Sequence, residues 1–489
     1  MTRRSATAAA SAGPQASGAQ ETEPRASGAQ APGAQGPRRV VVTGTGAITP
    51  SGNSVEALWD AVRGGHSAIR LLEGEEFADL PVRIGGQVRD VDPEAHLPRA
   101  LARRLSPVQH WAIAAADQAM AQATAAPARS ESESAATGTP GPGTDAPATG
   151  SGKPAAASAP SPDDLPWEPQ RLVIVAATGS GPIDAMQAAT RAYDEGGPRS
   201  VPLTLTIHGA PDAAAALLSQ RYGAYGTSHG VSATCASGAI GLGEGMRLIR
   251  HGYADAVLVV GMEDCLGPVN LSSNANLRAL AAGFEDDPAS ASRPFDRDRS
   301  GFVMSQGAAA ILLEAEDTAR ARDAEALAGL AGFGAASDAH HPTAPHPEGR
   351  GAALSMRACL ADAGLGPDAV DHVNAHGTGT PTGDAAEAAA LTEVLGPRAR
   401  GVPITATKSS TGHLLGAGGV VEGILAIRTL ASGLVPPTLN LDDADFDLDV
   451  VTGRARRVDV GSVLSTSFGF GGHNATVLFT HATTHEEAR

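Results

Sequence analysis

The stretch Gly230-Val231-Ser232-Ala233-Thr234-Cys235-Ala236-Ser237-Gly238 reads as the end of a strand, a sharp turn and the start of a helix. It feeds a helical pattern over Gly238–His251, which leads to a short apolar run, Ala256–Val260. Working outward, the same alternation recurs. Val40–Thr43, Leu172–Val175, Ala309–Leu313, His372–Ala375 and Val463–Thr466 have the apolar character of buried strands. Ser54–Arg63, Pro107–Ala121, Ala213–Tyr222, Ala352–Ala363, Asp384–Leu395 and Gly418–Leu430 have helical spacing. Short strands alternating with longer helices predict an α/β layered fold with mostly parallel strands.

Two segments stand outside this pattern. Residues 1–37 are Ala, Gly, Ser, Gln and Pro with no hydrophobic period, and are read as a disordered tail. The Ala-rich start lacks the Leu-rich core of a secretory signal. Residues 123–166 are of similar composition but lie between a helix and a strand that both belong to a core, so they are read as an inserted surface loop. The polar Arg293–Gly301 joins two halves, 38–292 and 293–482, each of ordinary domain size once tail and insertion are set aside; 483–489 form a C-terminal tail.

The net charge of −17 argues against a nucleic-acid partner, which would need basic charge to displace phosphate counterions. No stretch reaches the ~20 uninterrupted apolar residues of a membrane span. Hydrophobic residues make up 42% of the chain but aromatics only 3%, so small aliphatic side chains must fill the core. Three scattered cysteines suit neither a disulfide framework nor a zinc site, and a reducing, cytoplasmic location is expected. Only two of the 36 basic residues are lysines, Lys153 and Lys408.

Several motifs resolve to bland readings. Thr43-Gly44-Thr45-Gly46 follows a strand but lacks the third glycine and the later acidic residue of a dinucleotide site, and is read as a tight turn. Gly179-Ser180-Gly181-Pro182 lacks the ending of a phosphate loop. His340, His341 and His346 are read as loop residues rather than metal ligands, and no metal is expected. Cys265 and Cys359 are read as core.

Cys235 is different, because a cysteine at a helix N-terminus has its thiolate favoured by unsatisfied N–H groups. His376, in Ala375-His376-Gly377-Thr378-Gly379-Thr380, emerges at a strand's C-terminal edge. His413 lies in Lys408-Ser409-Ser410-Thr411-Gly412-His413, another glycine-bordered turn. A cysteine and two histidines in strand-end turns form a nucleophile-and-histidine constellation. Lys408 survives where coding bias replaced nearly every lysine, which points to a need for a compact ammonium group beside His413.

Taken together these residues resemble the β-ketoacyl-acyl-carrier-protein synthases of the thiolase-like superfamily. The resemblance runs from Arg39 to about Thr480. It rests on RRVVVTGTGAITPSGN (38–53), the Cys235 turn, ASRPFDRDRSGFVMSQGAAAILLE (291–314), VNAHGTGTPTGDAAEAAAL (373–391), TKSSTGHLLGAGGVVEGI (407–424) and SFGFGGHNATVLF (467–479). It implies a five-layer αβαβα fold of two related halves, and catalysis without metal or organic cofactor. It also implies an acyl carrier protein as partner, and a homodimer or a heterodimer with a related subunit.

Residue by residue, the resemblance makes Cys235 the acyl acceptor and His376 and His413 the donors that stabilise an enolate formed as CO2 leaves an extender thioester. Lys408 and Glu422 become their supporting pair. Backbone N–H groups of Cys235 and Phe470 form the oxyanion hole, Phe468 and Phe470 belong to a gating turn, and Thr343, Thr378 and Thr380 contact the phosphopantetheine arm. Three positions depart from the family pattern. Thr234 stands where Ala or Gly is usual, Pro182 where an aliphatic residue lines the acyl pocket, and Thr466 where Asn is common. Arg99, Arg103 and Arg104, and separately Arg247 and Arg250, are candidate basic patches for an acidic carrier, since local charge governs docking within the ~8 Å screening length. The rival activities are a degradative thiolase, which would carry a second cysteine in the C-terminal glycine-rich turn, a non-condensing acyltransferase, and a catalytically silent partner subunit.

Overall fold

The computed structural model describes residues 37–125 and 159–482; the N-terminal tail, most of the 123–166 insertion and the last seven residues lie outside them. The first half contributes β1 (Val40–Ile48), β2 (Leu172–Ala177), β3 (Ser228–Val231), β4 (Ala256–Glu263) and β5 (Gly307–Ala315), in the spatial order β3-β2-β4-β5-β1. The second contributes β6 (Ala328–Ser337), β7 (His372–Asn374), β8 (Ile404–Thr405), β9 (Ser462–Gly469) and β10 (His473–Thr480), in the order β8-β7-β9-β10-β6. Numbered within its own half, each sheet has the same strand order and the same sense. Strands one to four run parallel and the fifth runs against its two neighbours. The sequence expectation of parallel strands therefore holds for four strands in each half, with one reversed strand in each that periodicity could not reveal. The sheets join where β1 and β6 pair at Val41–Gly329 and Val42–Ala328.

Helices fill three layers. α1 (Pro107–Thr124) and α2 (Ala213–Tyr222) cover the outer face of the first sheet; α4 (Arg350–Asp362) and α5 (Pro381–Leu395) cover that of the second. Between the sheets lie α3 (Ser237–Arg250) and α6 (Gly418–Ser432). The stretch Leu415–Ser432 has a mean hydropathy of 1.3 and is the described segment nearest to a membrane span by length and composition, but 83% of it is buried as this central layer. Its apolarity on all sides is that of a helix enclosed by two sheets.

Glycines set the layer spacing. A Cβ on Gly44 would lie 2.0 Å from the Ala119 carbonyl oxygen, and one on Gly46 1.9 Å from that of Ala115. The Gly44–Gly46 segment is therefore the middle of β1, not the tight turn expected from the sequence: its glycines let the α1 backbone rest directly on the strand. At the centre, a Cβ on Gly419 would meet Ala239 N at 2.5 Å, so the starts of α3 and α6 touch backbone to backbone.

The division of the halves also differs from the expected position at 293. After Arg293–Gly301 the chain returns to the first sheet as β5, so the halves divide beyond Ala315. Arg293–Gly301 instead straps across to the second half. Phe295 is buried in that half's core, its N–H donates to Asp384 at 2.8 Å, and Asp296 accepts the N–H groups of Asp442 and Asp443 at 2.8 and 3.0 Å.

Candidate active site

Cys235 sits on a tight elbow between β3 and α3. Thr234 takes a left-handed φ of 49°, unusual for a β-branched residue, and Ser237 Oγ accepts the Ala233 N–H at 2.8 Å, closing the elbow. The sulfur lies near the backbone N–H groups of Phe470 and of Cys235 itself, the pair expected for an oxyanion hole. These N–H groups and the Lys408 ammonium pull the thiol down, but burial outweighs them and pushes it up to about 12. The pull toward thiolate expected at this helix end is present but exceeded by burial, so the resting group is a neutral thiol.

His376 follows β7, and its backbone is splinted. The His376 N–H donates to Glu387 Oε1 at 2.8 Å, and Gly377 N–H to Glu387 Oε2 at 2.7 Å. Thr466 Oγ1 lies 2.9 Å from His376 N and 2.8 Å from Glu387 Oε1, so the residue that departs from the common Asn closes this small network. His413 is held from the first half: its N–H donates to the Val303 carbonyl at 2.8 Å and its own carbonyl accepts Ser305 N–H at 3.0 Å. The two imidazoles stand edge to face with centroids 5.3 Å apart, and the Phe302 ring lies 5.5 Å from that of His413.

Burial first, then the Lys408 charge, hold both histidines well below their ordinary range, so each is neutral and offers one ring N–H. His376 Nδ1 and both ring nitrogens of His413 are buried without a hydrogen-bond partner among the described residues. Lys408 donates to Glu422, both fully buried; burial pushes the Glu422 carboxyl up to about 7 while Lys408 opposes the rise.

One cavity of about 360 Å³ is lined by Cys235, His376, His413, Phe468, Phe470, Thr343, Thr378 and Thr380. Residues from both halves therefore converge on it, as the sequence motifs imply. Pro182 does not: it lines a separate, smaller cavity with Thr178, Asp184 and Met262. Thr234 offers its hydroxyl not to the large cavity but to the Ala233 and Phe470 carbonyls, each at 2.8 Å. Sequence reading missed Glu387, although its position eleven residues after His376, on the inner face of α5, would have suggested a partner. It also missed Arg278, an exposed residue at the cavity's edge. The imidazoles of His340 and His346 stand edge to face in the loop after β6, with centroids 5.2 Å apart.

The two basic patches differ. Arg103 and Arg104 are exposed, and Arg99 pairs with Glu94 at 3.2 Å. Arg250 instead bonds Asp362 at 2.8 Å and the Ala331 carbonyl, while Arg247 stacks over Phe333 at 4.8 Å. Both contacts tie α3 to the second half, and Arg247 stays exposed while it stacks. Cys265 and Cys359 are fully buried, and burial raises both thiols, as their core reading implies.

Comparison with known proteins fits this geometry. The beta-ketoacyl synthase N-terminal domain matches residues 37–146 and 157–319, and the C-terminal domain matches 327–442, which divides the chain where the two sheets divide. The chain is 35% identical to 3-oxoacyl-[acyl-carrier-protein] synthase 2 of Synechocystis sp. over 445 residues, 90% of this chain and 98% of that one. Among solved structures, AntDE:AntF, a type II PKS acyl-carrier protein in complex with its ketosynthase bound to the hexaketide, matches with a TM-score of 0.77 at 27% identity, over 91% of this chain and 100% of that one. The ishigamide ketosynthase/chain length factor matches with a TM-score of 0.76 at 28% identity and the same coverage. In fold, motif order and extent, this chain belongs to the beta-ketoacyl synthase family.

Proposed function

We propose that this protein is a β-ketoacyl-acyl-carrier-protein synthase that extends acyl chains in fatty-acid or polyketide building by decarboxylative Claisen condensation. The observation that carries the reading is a single cavity presenting one thiol, two backbone N–H groups beside its sulfur, and two neutral imidazoles with unpartnered ring nitrogens. In the first step the Cys235 sulfur attacks a carrier-bound acyl thioester. The Cys235 and Phe470 N–H groups receive the developing oxyanion, the carrier thiol leaves with the proton, and the acyl group remains on Cys235.

In the second step a malonyl thioester enters with its thioester oxygen between His376 and His413. Loss of CO2 leaves an enolate whose charge their N–H groups meet, and its carbon attacks the Cys235 thioester. The β-ketoacyl product stays on the carrier and the released Cys235 sulfur takes up a proton. Neutral imidazoles suit this role, because an imidazolium would protonate the enolate instead of presenting it. The scheme needs no metal or organic cofactor, because groups of the chain meet each charge that develops.

Carrier docking is assigned to Arg103 and Arg104, which have no ion-pair partner among the described residues, with Arg278 at the cavity's edge. Dimerisation is assigned to the free edge of β3 together with the exposed Met186, Tyr193, Leu203 and Ile207; size-exclusion chromatography with light scattering reads the stoichiometry, as a homodimer or with a related subunit. A cytoplasmic location accords with three free cysteines. The deciding experiment is intact-protein mass spectrometry with acyl-carrier thioesters, then malonyl-carrier. An adduct on Cys235 that turns over on malonyl addition is expected; no adduct would defeat the synthase reading, and an adduct that persists would favour simple acyl transfer.

A further inference from the structure

We propose that the Thr234 hydroxyl is a latch that holds the Phe468–Gly472 turn closed over Cys235 and makes acylation favour small acyl groups. This rests on the synthase reading and adds a selectivity element to it. Thr234 Oγ1 reaches the Phe470 carbonyl at 2.8 Å across 236 positions of sequence, sharing its proton with the adjacent Ala233 carbonyl. The fit is close: a Cβ on Gly469 would lie 2.1 Å from that Oγ1, so the turn rests directly on the threonine.

The far side of the turn has its own anchors. Gly471 N–H donates to the Pro342 carbonyl at 2.7 Å, the Gly472 carbonyl accepts Asp338 N–H at 2.9 Å, and Asn474 bridges Asp338 and Gly472 at 3.0 Å each. The anchored Gly471 and Gly472 hold left-handed φ values, 86° and 73°, so Phe470 is held between these two glycines on one side and the Thr234 hydroxyl on the other.

Phe470 and Cys235 pack against the same apolar cluster, which includes Leu271, Leu280, Phe302 and Leu415, and the Phe302 and Phe470 rings are 6.4 Å apart. An acyl chain growing from the sulfur into that cluster competes with the Phe470 ring for space. A short acyl group leaves the ring in place; a long one must displace it and break the Thr234 bond. Thr234 is therefore a positioning residue acting through Phe470. The left-handed backbone marks the site as one where glycine would be the easier residue, so the threonine is kept there at a conformational cost.

The test compares the rates at which acetyl-carrier and octanoyl-carrier acylate Cys235, by intact-protein mass spectrometry, in wild type and in Thr234→Ser, Thr234→Val and Thr234→Gly. Loss of one neutral hydrogen bond corresponds to a factor of about ten. The octanoyl-to-acetyl ratio should rise about tenfold in Thr234→Val and Thr234→Gly and stay within about twofold of wild type in Thr234→Ser. Glycine fits the backbone without strain, so that variant keeps the test decisive where Thr234→Val fails to fold. An unchanged ratio in Thr234→Gly, or a serine variant that shifts as far as the glycine one, overturns the latch. A wild-type protein that neither thioester acylates overturns the synthase reading instead, and the two failures are distinguishable.

Discussion

Glu387 holds His376 by the backbone rather than by the ring: its two carboxylate oxygens accept the N–H groups of His376 and Gly377 at 2.8 and 2.7 Å. Burial pushes this carboxyl above its ordinary range, and the N–H groups and the Thr466 hydroxyl pull it back. The turn that aims the imidazole is thus fixed by a buried acceptor. In Glu387→Gln one of the two acceptors becomes an NH2 group facing an N–H. Leaving a buried donor unmatched costs about 1–3 kcal/mol, so kcat should fall about tenfold or more, with a smaller change in KM for the extender. Steady-state kinetics on malonyl-carrier check this, and an unchanged kcat would remove Glu387 from the positioning of His376.

The neutral thiol of Cys235 predicts a pH profile for alkylation. With the thiol pushed up to about 12, the reactive thiolate fraction grows with each unit of pH across the accessible range. The iodoacetamide rate at Cys235 should therefore rise about tenfold per pH unit from about 7 to 10, with no plateau at the ordinary cysteine value of about 8.5. A plateau near or below that value would show that the helix end and Lys408 outweigh burial after all.

Lys408 and Glu422 form a fully buried pair, so removing one partner should cost more than removing both. Lys408→Met leaves a buried carboxyl without its counter-charge, a loss of about 3–5 kcal/mol by denaturant unfolding. The double variant Lys408→Met/Glu422→Gln should recover most of that loss. Neither variant should recover activity fully. Lys408 lowers both His376 and His413, so without it both imidazoles titrate at higher pH and the acid limb of kcat moves upward.

His372 offers a stability test with a defined sign. Burial holds this imidazole down at about 4, against an ordinary value of 6.5, with a partial offset from the Pro403 carbonyl 2.9 Å from Nδ1. A depressed pKa means that the unfolded chain takes up the proton first. The stabilisation is complete above about 6.5 and is lost as pH falls toward 4, amounting to roughly 3 kcal/mol. In His372→Gln this component should vanish, so the difference in unfolding free energy between variant and wild type should change across that window and stay constant above it.

Gly46→Ala tests the layer contact. Its Cβ would sit 1.9 Å from the Ala115 carbonyl, a backbone atom that cannot turn aside, and α1 would have to lift from β1. Such overpacking costs about 1–3 kcal/mol, and urea unfolding should show it. A neutral result would mean that the strand can shift at the β-bulge between Val42 and Gly44.

Chemistry with a local signature was legible in the sequence. The small-residue elbow of Cys235, the glycine-bordered turns of His376 and His413, and Lys408, one of only two lysines in the chain, each announce themselves within a few residues. So did helices such as Ala213–Tyr222, whose bounds the structure reproduces. Relations between distant segments had no such signature. The passage of Gly44 and Gly46 through the middle of a strand, the return of the chain to the first sheet after Arg293–Gly301, and the use of Arg250 on Asp362 all depend on what a residue packs against.

The sequence by itself determined which residue types reach strand-end turns, because backbone periodicity and glycine placement are local properties. Only the tertiary structure decided what those residues become. Burial between two sheets makes Cys235 a neutral thiol and the two histidines neutral donors, because desolvation depends on everything that surrounds a group rather than on its neighbours in the chain. The same enclosure turns Thr234 from a departure in a motif into a contact with Phe470, 236 residues away.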